Sequence, residues 1–285
     1  MIEIIRFTDF NEYYIYNKEF VYNNTLLNTF LIRMIKKVIN GDEPLYKYFN
    51  IVDKEYGHKI IVLLTEQACL LYGTDCNIEM IECLSSEISY PLFKRYYFFG
   101  NKKIISTLLA TNNALYEVEK DRNIYECSSV AKEFNYSTGN AEMGSFQDIN
   151  QIEEMSFAFS KEYEGGEEIP EDMRSAMWQG IKRENIFVWK DHGEICSLLQ
   201  VIYDRHDFPE IGNFYTKPEF RCKGYGASLI HRVTKGLLEN KNEKVILTTN
   251  AKTPGSNIAF QKAGFIKVGD YYRIYKILKT ETPED

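Results

Sequence analysis

Positive charge is in deficit, histidine is scarce, and the cysteines follow no ligand pattern; each shortage removes a class of function. Six cysteines, Cys69, Cys76, Cys83, Cys127, Cys196 and Cys222, include no CxxC pair. A zinc site of the usual spacing is therefore not suggested, nor is the dense framework of a secreted disulfide scaffold. Reduced, mostly buried thiols are expected, with Cys222 alone placed where chemistry can reach it, and no metal. The four histidines, His58, His192, His206 and His231, are dispersed and read as surface residues. A formal net charge of −7 provides no overall field for gripping nucleic acid phosphates. Nowhere do about eighteen apolar residues run together, the length that a membrane helix needs, and the first twenty residues carry acids early and no apolar core of the signal type. A soluble, cytoplasmic protein without nucleic acid or membrane partners is expected.

What is present is ordinary globular material: 44% hydrophobic and 26% charged residues, with 21 tyrosines and 18 phenylalanines whose runs, such as "RYYFF", suit strand packing better than base stacking. Leu26, Leu27, Phe30, Leu31, Met34, Ile35 and Val38 fall on one helical face, which predicts a helix over Asn24–Asn40 capped by Asn24 or Thr25 and stopped by Gly41. "YFNIVD", "KIIVLL" and "ACLLYG" predict an antiparallel meander. Helix, strand, helix, strand follow over Ile78–Ile88, "RYYFF", Lys102–Ala114 and "NIYECSSV". The second half gives the same order: helices over Asp148–Phe159 and Glu171–Lys182, strands "IFVWK", "ICSLLQVIY" and "EIGNFYT", a helix over Gly224–Leu238, the strand "KVILTT", a short helix near Asn257–Lys262 and the strand "FIKVGDYYRIYKIL". The fold class is α/β, an α+β mixed sheet flanked by helices in each half. The boundary is placed in the polar "KEFNYSTGN", giving domains 1–136 and 137–285; a duplicated fold and two unrelated α/β domains both fit this element order.

One segment stands out, "YTKPEFRCKGYG". Pro218 ends the strand at Thr216, and Arg221, Cys222, Lys223, Gly224, Tyr225, Gly226 and Ala227 lead straight into a helix. Glycines at a helix start remove Cβ atoms around its free N–H groups, so a phosphate can approach the positive end of the helix dipole. The plain alternative is a strand-to-helix turn that needs glycine for its backbone angles. GxxxxGKS is missing, and "GYGASL" lacks both the third glycine and the βαβ setting of a dinucleotide fingerprint.

These residues resemble the acyl coenzyme A loop of the GNAT superfamily of N-acetyltransferases, with Arg221, Gly224 and Gly226 at the matching positions. "TPGSNIAFQKAGFIKVGD" resembles that family's second signature through Ser256, Asn257, Phe260, Lys262, Gly264 and Phe265. The resemblance covers roughly Gly139 to Leu278, and the first half is similar in arrangement to the degenerate GNAT-like half of two-domain predicted acetyltransferases of bacteria. "ACLLYGTDCNIEM" has neither the arginine nor the paired glycines, so only the second half is expected to take a cofactor.

The resemblance implies tandem GNAT-like domains and an acyl-CoA-dependent N-acyltransferase, with acetyl-CoA as co-substrate and a small-molecule or peptide amine as acceptor; a homodimer stays open. It implies cofactor contacts from Phe214, Tyr215 and Thr216, from Arg221 to Ala227, and from Ser256, Asn257 and Phe260. Glu210 is the candidate base, since strand alternation puts Glu210, Gly212, Phe214 and Thr216 on one face; an exposed strand-end glutamate is the alternative. The acid-rich "KEYEGGEEIPED", with Glu162, Glu164 and Glu167, is a candidate attractor for a cationic amine, or simply a solvated loop. Phe260 stands where relatives commonly carry the tyrosine that protonates the leaving thiolate. That departure motivates a second reading, a coenzyme-binding sensor or interaction module with weakened turnover.

Overall fold

The structure, a computed structural model, describes residues 1–88, 97–163, 171–203 and 206–280, with side chains omitted at 171–172 and 275–280. Its contacts divide it into two compact units, residues 1–122 with 269–285, and residues 123–268. The expected boundary at 136/137 differs from this division. Residues 123–136 pack with the second unit, and the tail after Val268 packs with the first.

In the first unit, β1 (Ile2–Arg6), β2 (Leu45–Asp53), β3 (His58–Thr65) and β4 (Ala68–Gly73) run antiparallel in succession. β5 (Tyr97–Asn101) lies parallel to β4 and antiparallel to part of β12 (Ile266–Thr280). "KIIVLL" is a continuous apolar run because both faces of β3 are covered. Ile60, Val62 and Leu64 join Met80, Ile81, Ile104 and Leu108, from α3 (Ile78–Glu87) and α4 (Lys102–Thr111), in one core. Ile61 and Leu63 join Tyr13, Leu31 and Ile35, from α1 (Phe10–Asn23) and α2 (Thr29–Asn40), in another.

The helix expected over Asn24–Asn40 begins later, at Thr29. Gly41 ends it as anticipated, in the left-handed conformation at φ 78°, its N–H bonding the carbonyls of Lys37 and Val38. α1 was not legible because its buried stripe is Tyr13, Asn17 and Val21, with a polar residue in the middle. That amide is satisfied inside the protein by the Tyr13 carbonyl and Asn50 Oδ1, at 3.0 and 3.3 Å.

In the second unit β7 (Asn140–Met143), β8 (Ile186–Asp191), β9 (Glu194–Ile202) and β10 (Glu210–Thr216) are antiparallel neighbours, and β11 (Val245–Asn250) pairs parallel with β10. The end of β6 (Ala114–Cys127) lies beside β11. One face packs on α7 (Tyr225–Glu239) and α8 (Pro254–Ala263), where Tyr125, Leu199, Val201, Ile211, Leu229, Val233 and Phe260 meet. The other packs on α5 (Ile149–Tyr163) and α6 (Glu171–Lys182), through Ile152, Met155, Met177, Leu198 and Tyr215. A capping box precedes α5: Ser145 and Asp148 bond each other reciprocally, and Lys190 reaches Asp148 at 3.0 Å.

Candidate active site

β10 is an unusual strand, and its irregularity opens the site. Between Gly212 and Tyr215 it advances three residues while its partner advances two, from Gln200 to Leu198. The extra residue is a β-bulge. Asn213 sits there at φ 47°, a conformation asparagine tolerates better than most residues, and its amide is held by Ser156 of α5 at 3.1 Å. The bulge reverses the alternation expected from the sequence. Ile211 packs toward α7 and α8, yet Tyr215, four residues on, packs toward α5 and α6. Glu210 and Phe214 consequently face opposite sides, which corrects the single face expected for Glu210, Gly212, Phe214 and Thr216.

The same strand separates from its neighbour. Pairing between β10 and β11 is limited to Glu210–Ile246 and Ile211–Leu247. Beyond Ile211 no described strand pairs with that edge of β10, which leaves a slot. In the first unit the corresponding parallel pair stays closed from Ala68 to Leu71, and a Cβ on Gly100 would overlap the Leu71 carbonyl.

The slot meets the loop that follows β10. After the Pro218–Phe220 turn, Arg221 donates its N–H to the Pro218 carbonyl, and Cys222 and Gly224 both adopt positive φ, 61° and 85°. Ser137 clamps this arrangement: its hydroxyl donates to the Lys223 carbonyl at 2.7 Å, and its N–H donates to Ser228 Oγ at 2.9 Å. Tyr225 anchors the helix start on Asp191 at 2.6 Å, a contact that raises its phenol above the ordinary range. The successive N–H groups from Cys222 to Ala227 meet no acceptor among the described residues. Gly226 is required by close approach, since a Cβ there would lie 2.7 Å from Phe214 Cζ and 2.8 Å from Thr216 Oγ1.

Slot and loop together border a cavity of about 600 Å³, whose walls include Phe214, Thr216, Arg221, Gly224, Gly226 and Ser256. Lys252 and Lys262 add positive charge at its α8 side. A helix start with unspent N–H groups, basic side chains and a free strand edge suits an elongated ligand that ends in phosphates.

Residues 147–265 match the family model described as "Acetyltransferase (GNAT) family". The second unit therefore contains a GNAT acetyltransferase domain. The solved structure of a GNAT-family acetyltransferase from Colwellia psychrerythraea shares the fold over 97% of this chain and 100% of its own, at 12% identity and a TM-score of 0.52. A GCN5-related N-acetyltransferase from Sphaerobacter thermophilus aligns over 84% of each chain at 14% identity and a TM-score of 0.49. No curated protein matches the chain.

Within the GNAT domain, Phe214, Tyr215, Thr216, Arg221, Cys222, Gly224, Tyr225, Gly226, Ala227 and Ser256 all border the cavity. Lys223, Asn257 and Phe260 do not. Asn257 is spent on the fold, donating to the carbonyls of Asn250 and Thr253 and accepting from Asn123 and Tyr125. Phe260 is 3% exposed, packed among Phe214, Tyr125 and Phe265. Cys222 is exposed at the cavity, whereas Cys69, Cys76, Cys127 and Cys196 are buried.

Glu162 belongs to this cavity too, as Tyr163 does, and binds Arg221 Nη2 at 2.6 Å. That ion pair holds the Glu162 carboxyl below its ordinary range, and burial, with Glu162 adding to it, pushes the Tyr163 phenol up to about 12. Glu164 and Glu167 lie outside the described residues. Glu210 begins β10 but is buried rather than exposed, its Oε2 3.6 Å from His206 Nε2, and it is not among the residues that line the cavity. His231, expected on the surface, is 4% exposed. It is stacked on Phe134 and bonded to the Tyr136 hydroxyl and the Ala131 carbonyl. The His206–Glu210 contact is local, four residues apart in the chain, whereas that of His231 joins Tyr136 from 95 residues away and has no signal in the sequence pattern.

Proposed function

We propose that the GNAT domain transfers an acetyl group from acetyl-CoA to a primary amine, by direct attack of the neutral amine on the thioester. The observation that carries this reading is the row of unspent N–H groups from Cys222 to Ala227 opening onto a 600 Å³ cavity at the split between β10 and β11. Those amides and Arg221 hold the diphosphate, and the free edge of Phe214–Thr216 pairs with the pantetheine amides. Acetyl-CoA supplies the activated acetyl group when bound. An amine of lysine type has a pKa of about 10.4 and must lose a proton before it reacts. Glu210, beside His206, takes that proton through an intervening water, since its carboxylate stands off the cavity. Among the described residues the first unit keeps its parallel pair closed, so it acts as a support rather than a second cofactor domain.

Calorimetry with acetyl-CoA tests the assignment. The wild type is expected to bind, and Gly224→Asp, which places a Cβ 2.7 Å from Ser137 Oγ and a negative charge at the cradle, to bind at least about tenfold more weakly. No binding by the wild type at millimolar acetyl-CoA ends the proposal. A second reading is favoured by Phe260, which supplies no hydroxyl to the leaving thiolate: acetyl-CoA is bound and sensed, with turnover weakened. Thiol release across an amine panel separates the two, because a sensor binds the cofactor without steady release.

A further inference from the structure

The sheet face turned toward α5 and α6 carries a second cavity, of about 430 Å³, bordered by Gln179, Arg183, Asn185, Gln200, Ile202 and Tyr203. Its place is set by strand register. Gln200 pairs with Gly212 and Ile202 with Glu210, so the cavity wall lies one strand, about 4.8 Å, from the residue at which the bulge and the slot begin. Gly212 is required there by close packing, because a Cβ would stand 2.9 Å from Ile202 Cδ1.

The chemistry of the lining is selective. Among the described residues it offers one cation, three side-chain amides and a phenol, with no aspartate or glutamate. Arg183 is exposed and makes no ion pair and no side-chain hydrogen bond with a described residue. Asn185 is 9% exposed. Its N–H donates to the Gly180 carbonyl and its own carbonyl accepts from Val201, but Oδ1 has no donor among the described residues. A buried acceptor left without a donor is costly, and a ligand N–H removes the cost. An unpaired guanidinium is a fork that matches a carboxylate with two parallel hydrogen bonds.

We propose that this cavity seats the acceptor, and that the acceptor is an amine which also bears a carboxylate, an amino acid or short peptide. Arg183 takes the carboxylate, Asn185 Oδ1 takes an N–H, and the reacting amine is directed across β10 toward the slot. A polyamine is disfavoured, having no acid to meet and Arg183 to repel it. This inference rests on the acetyltransferase reading. The overall exchange is balanced: acetyl-CoA and the amine give the N-acetyl product and free coenzyme A thiol, one proton passing from nitrogen to sulfur.

Thiol release is measured with the full chain at saturating acetyl-CoA, using matched pairs: arginine and agmatine, tyrosine and tyramine, lysine and cadaverine. The carboxylate-bearing member of at least one pair is expected to show a kcat/KM about tenfold or more above its decarboxylated partner, in line with the rejection of analogues that leave polar site groups unpaired. Arg183→Gln should collapse that ratio toward one and Arg183→Lys should restore part of it, with unchanged thermal unfolding showing that the fold is retained. Decarboxylated partners that react equally well, or a ratio that survives Arg183→Gln, overturn the proposal. Acetyl-CoA binding without turnover of any carboxylate-bearing amine overturns it as well, while leaving the cofactor assignment standing. Failure to bind acetyl-CoA at all removes the acetyltransferase reading itself.

Discussion

Arg221 shows why a residue type can be read from sequence while its working state cannot. Its place ahead of the glycines makes it a candidate phosphate ligand, yet in the folded chain it is engaged twice, by the Thr216 carbonyl at 3.0 Å and by Glu162 at 2.6 Å. The pair is surface-accessible, with side chains 38% and 37% exposed, so it is readily exchanged for a stronger anion. Because Arg221 lowers the Glu162 pKa, the carboxylate stays charged at neutral pH and stands beside the diphosphate position. Glu162→Gln is therefore expected to tighten acetyl-CoA binding by about three- to tenfold at low salt, the gain fading as ionic strength rises. Calorimetry in two salt concentrations checks this; equal or weaker binding would mean that Glu162 orients Arg221 instead of competing for it.

Among the elements, β10 and α5 depend on particular residues for their form. The bulge at Asn213 changes the facing of the strand, so that Ile211 packs toward α7 and α8 while Tyr215 packs toward α5 and α6. α5 supports that bulge through Ser156 and is itself started by Ser145 and Asp148. Burial works against the Asp148 charge, but hydrogen bonds from Ser145 and Lys190 outweigh it, and the net pKa falls below the ordinary 3.8. A carboxyl depressed in the folded state stabilises above its unfolded pKa and loses that contribution as pH drops through the folded value. Asp148→Asn should cost about 1–2 kcal/mol at pH 7. The cost should shrink steadily below about pH 4, as urea unfolding at both ends of that range would reveal.

At the scale of the whole molecule, the division into units groups Asn123–Phe134 with the second unit, ahead of the residues that match the GNAT family, rather than with the segment before it. Tyr125 and Cys127 are buried in its core, Asn123 and Tyr125 hold Asn257, Glu126 pairs with Lys244, and Ala131 bonds the Ala263 carbonyl. A fragment cut at the composition boundary, 137–285, is expected to melt about 10 °C or more below one beginning at residue 123, or to lose a cooperative transition. Equal melting of the two fragments would show that the extra strand is dispensable.

Local chemistry was legible without the fold. Gly41 as a helix stop, Pro218 as a strand end and the glycines before α7 act through their own backbones, so their neighbours in sequence were enough to place them. The two-sided burial of "KIIVLL" was foreshadowed by its unbroken apolar run. The sequence by itself thus determined most of the helices and strands, the glycine-rich turn into α7 and the family that residues 147–265 match. Tertiary structure decided the rest: the bulge that separates Glu210 from Phe214, the burial of His231, the pairing of Glu162 with Arg221, and the strand that completes the second core. Each of these depends on contacts between residues far apart in the chain, and pattern along one strand or helix carries no record of which distant side chain will arrive opposite it.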